Sequence, residues 1–212
     1  MSTLSYILEH KIVAIMRGMP SKDAVNLANA LLRGGINILE ITLNSPNALQ
    51  VIEELSQQFK DTMLIGAGTV LTAEEANNAI NAGAQFIISP ALIEDVITAT
   101  KDAGKVSIPG AYTPTEILQA HRRGADIIKV FPAPNAAYIK NILAPLNHLK
   151  IMPTGGVNVD NIKDYAAAGA VAFGIGNALV NSKEEVNELY FQNLEDKARR
   201  FTGAVHSTPI PS

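Results

Sequence analysis

One lysine stands where a charge is not expected. Lys129 sits inside the apolar run from Ala125 to Pro132, which reads Ala-Asp-Ile-Ile-Lys-Val-Phe-Pro. Its neighbours Ile127, Ile128, Val130 and Phe131 are β-branched or aromatic types that favour a buried strand. An ammonium there needs a partner or a task, because lysine is almost never fully buried without one. Desolvation lowers the pKa of a lysine, and a neutral amine in an apolar pocket can attack a carbonyl to form a Schiff base. The alternative is a structural lysine, paired with a carboxylate or snorkelling from a strand end.

Only one other apolar run carries a charge of this kind. Glu40 lies in the stretch Ile36 to Leu43. Side chains alternate along a strand, so Glu40 shares a face with Ile38 and Thr42, and Lys129 shares one with Ile127 and Phe131. Two such groups can form a simple buried ion pair. They can also work together, the carboxylate moving protons for a keto substrate held on the amine. Two glycine-rich segments, Pro153-Thr154-Gly155-Gly156-Val157 and Gly174-Ile175-Gly176-Asn177-Ala178, follow late strands. Backbone N–H groups exposed there can bind a phosphate, although glycines also serve simply to make tight turns. Arg17 closes the first apolar run and can contact a phosphate or carboxylate, or tie itself to Glu40.

These residues must be positioned by a repeating scaffold. Eight apolar runs are expected as strands: Ile12 to Met16, Ile36 to Leu43, Met63 to Ala67, Phe86 to Ser89, Val106 to Pro109, Ile127 to Phe131, Ile151 to Thr154 and Val171 to Ile175. They are apolar nearly throughout, as strands covered on both faces are. Thr72 with Glu75, and Thr113-Pro114 with Glu116, read as capping boxes that start helices. Gly34, Gly83, Gly104, Gly124 and Gly169 fall where helices should end, at positions that suit a left-handed residue. The spacing describes one βα unit about every two dozen residues, which predicts an α/β fold, a (β/α)8 TIM barrel forming one domain over residues 1–212. Residues 2–10 are expected as a short helix capping the barrel floor, and the chain from Thr202 as a frayed tail. In such a barrel the reacting groups gather at the C-terminal ends of the strands. That rule selects Arg17, Glu40, Thr42, Asn44, Thr69, Ser89, Pro90, Pro109, Lys129, Phe131, Thr154 and the two glycine segments.

Composition narrows the chemistry further. A net charge of -3 without a basic run gives no footprint for nucleic acid or an anionic membrane, and leaves small anionic metabolites as partners. The absence of cysteine removes thiolate catalysis and cysteine metal sites. His10, His121, His148 and His206 all fall away from strand ends, so no metal site is expected. The early run Ile12 to Met16 is too short for a signal or a membrane span, and the cytoplasm is the expected compartment.

Six segments together resemble a known family. Ile-Val-Ala-Ile-Met-Arg (12–17), Leu-Glu-Ile-Thr-Leu (39–43), Ile-Gly-Ala-Gly-Thr-Val (65–70), Phe-Ile-Ile-Ser-Pro (86–90), Ile-Lys-Val-Phe-Pro (128–132) and Pro-Thr-Gly-Gly-Val (153–157) are similar, in order, to the class I aldolases of 2-keto-3-deoxy-6-phosphogluconate and 4-hydroxy-2-oxoglutarate. The resemblance implies a cofactor-free and metal-free lyase of the Entner-Doudoroff route. Its products would be pyruvate and glyceraldehyde 3-phosphate, or pyruvate and glyoxylate from 4-hydroxy-2-oxoglutarate, and its assembly a homotrimer. It implies Lys129 as the Schiff-base lysine and Glu40 as the general acid/base. Thr69, Pro90 and Phe131 would line the pyruvate end, with Arg17 at the mouth and Gly155, Gly156, Gly176 and Asn177 around the phosphate. Asn44 departs from the gluconate-type pattern, standing where many members have an arginine, and the Leu-Asn-Ser-Pro stretch 43–46 is similar to the galactonate-type branch. Thr154 points the other way, since gluconate-type members carry threonine there. Asn177 replaces a common serine. A galactonate-type aldolase is therefore the nearest alternative. An isomerase or synthase using Lys129 as an anion partner, or a non-catalytic phospholigand-binding barrel, stands further off.

Overall fold

A computed structural model describes residues 1–206. Among these residues, strands and helices alternate along the whole chain. The strands are β1 (Ile12–Met16), β2 (Ile38–Thr42), β3 (Leu64–Gly68), β4 (Phe86–Ile88), β5 (Val106–Ile108), β6 (Gly110–Ala111), β7 (Ile128–Val130), β8 (Ile151–Pro153) and β9 (Phe173–Ile175). The helices are α1 (Thr3–His10), α2 (Ala24–Arg33), α3 (Ala48–Gln58), α4 (Ala73–Asn81), α5 (Glu94–Asp102), α6 (Pro114–Arg122), α7 (Ala136–Leu143), α8 (Ile162–Ala167) and α9 (Glu188–His206).

Every pairing is parallel, in a six-stranded sheet of order β5-β4-β3-β2-β1-β9 and a three-stranded sheet β6-β7-β8. The expected strand Val106 to Pro109 ends at Ile108, and a further short strand, β6, which was not expected, follows Pro109. Pro109 separates the two because proline has no N–H to give to a ladder, yet its carbonyl still accepts from the Lys129 N–H at 2.9 Å. The architecture is an α/β fold with a curled parallel sheet.

Alternation along the strands sorts the core into two parts. One set of positions, with Val13, Ile38, Phe86, Ile108, Ile127 and Met152, packs inside the curl together with Ile7 of α1. The intervening positions, among them Ala14, Leu39, Ile41, Ile128, Val130 and Phe173, face the helices. The floor-capping helix therefore forms as expected, with its side chain Ile7 fully buried.

Three expectations change in detail. The capping box is complete at Thr113 and Glu116, whereas at Thr72 the Glu75 carboxylate reaches past the cap to the Leu71 N–H at 2.6 Å. Gly83, Gly104, Gly124 and Gly169 are left-handed, but Gly34 is not; Gly35 takes that role, and Gly34 instead lets α9 approach, since a Cβ there would lie 2.3 Å from the Ala198 Cβ. The frayed tail does not begin at Thr202. Helix α9 continues to His206 with Phe201, Ala204 and Val205 buried, because its apolar side completes the cover over α2. The rest of that expectation, 207–212, lies outside the described residues.

Candidate active site

The inner face of the curled sheet changes character one step above its apolar floor. Above Ile38 comes Glu40, above Ile127 comes Lys129, and above Met152 comes Thr154. All three are buried: Glu40 is 0% exposed, Lys129 2% and Thr154 3%. A cavity of about 360 Å³ opens over Lys129 and Thr154, with Glu40 outside its wall. Its wall includes Arg17, Lys129, Phe131, Thr154, the Gly155-Gly156 turn, Gly176 and Asn177, all drawn from the expected set.

Space for the acid is made by a glycine. Gly68, at the end of β3, faces Glu40, and a Cβ on it would lie 1.7 Å from Glu40 Oε1. Gly174 does the same for the next side chain, since its Cβ would lie 2.3 Å from Thr154 Oγ1. Glycine at both places follows from close approach rather than from turn geometry.

Neither in-strand charge is neutralised by a close partner. No ion pair or hydrogen bond joins Glu40 and Lys129 among the described residues, and both Glu40 carboxylate oxygens lack a hydrogen bond. The buried ion pair allowed by the sequence is therefore not formed. Arg17 is exposed at the rim and is likewise not tied to Glu40. The Lys129 Nζ instead lies 5.0 Å from the centroid of the Phe131 ring, a cation–π distance.

Burial dominates the protonation of both groups. Desolvation pushes the Glu40 carboxyl up, opposed by Lys129 and then by Arg17. Desolvation pushes the Lys129 amine down, opposed by the Glu40 carboxylate and assisted by the Arg17 cation. A lysine in that state carries a larger neutral, nucleophilic fraction than an exposed one. An acid in that state can hold a proton and return it.

The remaining expected residues stand outside the cavity wall. Thr69 follows β3 with a φ of 58°, a strained value for a β-branched residue and one often kept at functional sites. Pro90 follows β4, and its carbonyl packs so closely on Gly110, the register partner of Lys129, that a Cβ there would lie 2.3 Å away. Asn44 is exposed beyond β2. Ile15 and Asn158 line the cavity without having been expected. Period two would have found Ile15, two residues before Arg17, whereas nothing at a strand end marks Asn158. Among the described residues, no three His, Asp or Glu side chains gather as a metal site.

Comparison with known proteins gives this arrangement its relatives. The family model "KDPG and KHG aldolase" matches residues 4–193. The chain belongs to the KDPG and KHG aldolase family. Within it, the chain is similar to a probable 2-dehydro-3-deoxy-6-phosphogalactonate aldolase of Rhizobium meliloti, 36% identical over 81% of this chain and 82% of that one. It is also similar to a 2-dehydro-3-deoxy-phosphogluconate aldolase of Treponema pallidum, 36% identical over 79% of this chain and 81% of the relative. Among solved structures, the KDPG aldolase of Legionella pneumophila superposes with a TM-score of 0.78 at 29% identity, covering 98% of this chain and 99% of that one. That structure holds pyruvate captured as a covalent carbinolamine intermediate.

Proposed function

We propose that the chain is a class I aldolase that cleaves 2-keto-3-deoxy-6-phosphogluconate to pyruvate and glyceraldehyde 3-phosphate. The observation that carries this reading is the buried, unpaired Lys129 in the cavity wall, one layer above an apolar floor and electrostatically coupled to the unpaired Glu40. The neutral Lys129 amine adds to the C2 ketone, and loss of water gives an iminium. Glu40, directly or through a water, takes the C4 hydroxyl proton as the C3–C4 bond breaks. The aldehyde leaves, and the bonding electrons pass into an enamine. Glu40 then returns the proton to C3, and hydrolysis of the iminium frees pyruvate and the amine. Thr69, Pro90 and Phe131 border the pyruvyl end in this reading, and Thr154 offers an unpaired hydroxyl within the cavity. Gly155, Gly156, Gly176 and Asn177 receive the phosphate, with Arg17 at the mouth. Borohydride added with pyruvate should leave a stable adduct on Lys129, seen as a mass increase on its peptide; no adduct there overturns the mechanism.

A galactonate-type specificity is favoured by one feature, the exposed Asn44 in place of a common arginine. Cleavage rates of both epimers by the wild type and by Asn44→Arg decide it: a galactonate preference that shifts towards gluconate in the variant supports this second reading. Activity on 4-hydroxy-2-oxoglutarate would need the same lysine and no phosphate site.

Two broader parts of the reading have support of their own. Closure of the curled sheet into a (β/α)8 barrel is supported by the β1–β9 pairing, by the Thr154–Gly174 bridge and by the Lys129 N–H bond to Pro109. A homotrimer is supported by the exposed Leu49, Leu71 and Tyr112, apolar surface that association would cover, and light scattering tests it. The cytoplasm suits a phosphorylated substrate, whose charge keeps it from crossing a bilayer; no helix among the described residues is long and apolar enough to span one.

A further inference from the structure

We infer that Asn161 is a positioning residue for the phosphate end of the cavity, acting through the peptide between Gly156 and Val157. This inference rests on the aldolase reading above. The turn after β8 passes through two successive left-handed residues, Gly155 at φ 81° and Gly156 at φ 82°. Such a turn has no regular ladder to hold its peptide planes, so something else must set their direction. Asn161 does so: its Nδ2 donates to the Gly156 carbonyl at 2.8 Å.

Asn161 is itself held in place. Its Oδ1 accepts from the Asn158 N–H at 2.8 Å, and Asn158 Oδ1 accepts from the N–H groups of Asp160 and Asn161 at 2.9 and 3.1 Å. Each side-chain amide oxygen thus holds the other residue's backbone N–H.

The consequence lies on the other side of the plane. In a trans peptide the C=O and the following N–H point in opposite directions. With the Gly156 carbonyl drawn to Asn161, the Val157 N–H is turned away from Asn161, and Val157 lines the cavity. No hydrogen bond among the described residues engages that N–H. The same cavity is lined by Thr154, whose buried hydroxyl has no hydrogen-bond partner, and by Arg17. A phosphate there meets an oriented backbone donor without the donor having to reorganise.

The test compares substrates on one preparation. Wild type, Asn161→Ala and Asn161→Asp are each assayed with 2-keto-3-deoxy-6-phosphogluconate and with its phosphate-free counterpart. Their ratio of kcat/KM cancels any loss of folded enzyme. The expected result is a fall in that ratio of about tenfold in Asn161→Ala and more in Asn161→Asp, whose carboxylate repels both the Gly156 carbonyl and the phosphate. The fall should sit in KM for the phosphorylated substrate. Inhibition by inorganic phosphate should weaken in parallel, with pyruvate trapping on Lys129 unchanged. An equal loss on both substrates shows a general structural role and overturns the inference, as does an unchanged ratio. If the wild type itself does not prefer the phosphorylated substrate, the phosphate reading of the cavity fails and the inference falls with it. A preference kept by the variants removes the role of Asn161 alone.

Discussion

Lys129 and Glu40 differ from surface residues of the same type in one respect, the loss of water, and their chemistry follows from it. Desolvation moves the two in opposite directions, the amine down and the acid up, while Arg17 adds a cation that disfavours the ammonium. The effect of each neighbour therefore has a definite sign. Arg17→Met should raise the Lys129 pKa and shift the rising limb of pyruvate-dependent borohydride trapping to higher pH. Glu40→Gln should shift it to lower pH, because the carboxylate supports the ammonium. Shifts in the same direction would contradict the coupling. Stability carries its own sign. The folded form holds the Glu40 proton more tightly than the unfolded chain, so its contribution is full below the ordinary carboxylate pKa and is lost as pH rises through the raised folded value. Glu40→Leu should therefore melt above wild type, and by more at about pH 8 than at about pH 4, as followed by thermal denaturation.

Elements decide whether these residues meet. The register Glu40 to Gly66, and Thr42 to Gly68, brings β3 alongside β2 with two glycines on the inner face. Gly68→Ala would place a methyl where Glu40 Oε1 now lies, forcing the acid off its position. A misplacement of that size can cost about 100-fold in kcat, so a loss of that order is expected in steady-state assays while pyruvate trapping persists. The two facing residues differ in how much the local sequence reveals of them. Glu40 was recognisable as a charge in an apolar run, and its face followed from period two. Gly68 was not recognisable, because the reason for its lack of a side chain is an atom 28 positions earlier in the chain.

At the scale of the molecule, the site depends on a cover that the early strands do not supply themselves. Helix α9 packs on α2, with Phe201 1% exposed and the Thr202 hydroxyl donating to the Gly34 carbonyl at 3.2 Å. Phe201→Ala should cost about 3–5 kcal/mol of stability in denaturant unfolding while the activity of the folded fraction stays near wild type. A change of kcat without a change of stability would place α9 closer to the site than its packing indicates.

The sequence by itself determined the parallel α/β alternation, the starts of α4 and α6, the floor helix and the two in-strand charges. Those features are written in local patterns: apolar runs too long to alternate, caps beside helices, and a lysine among isoleucines. Tertiary structure alone decided that Lys129 and Glu40 form no ion pair, that Gly68 must leave room for Glu40, and that α9 runs past Thr202 to cover α2. Each of these depends on which atoms from distant parts of the chain come within a few ångströms, and a one-dimensional pattern carries no record of such distances.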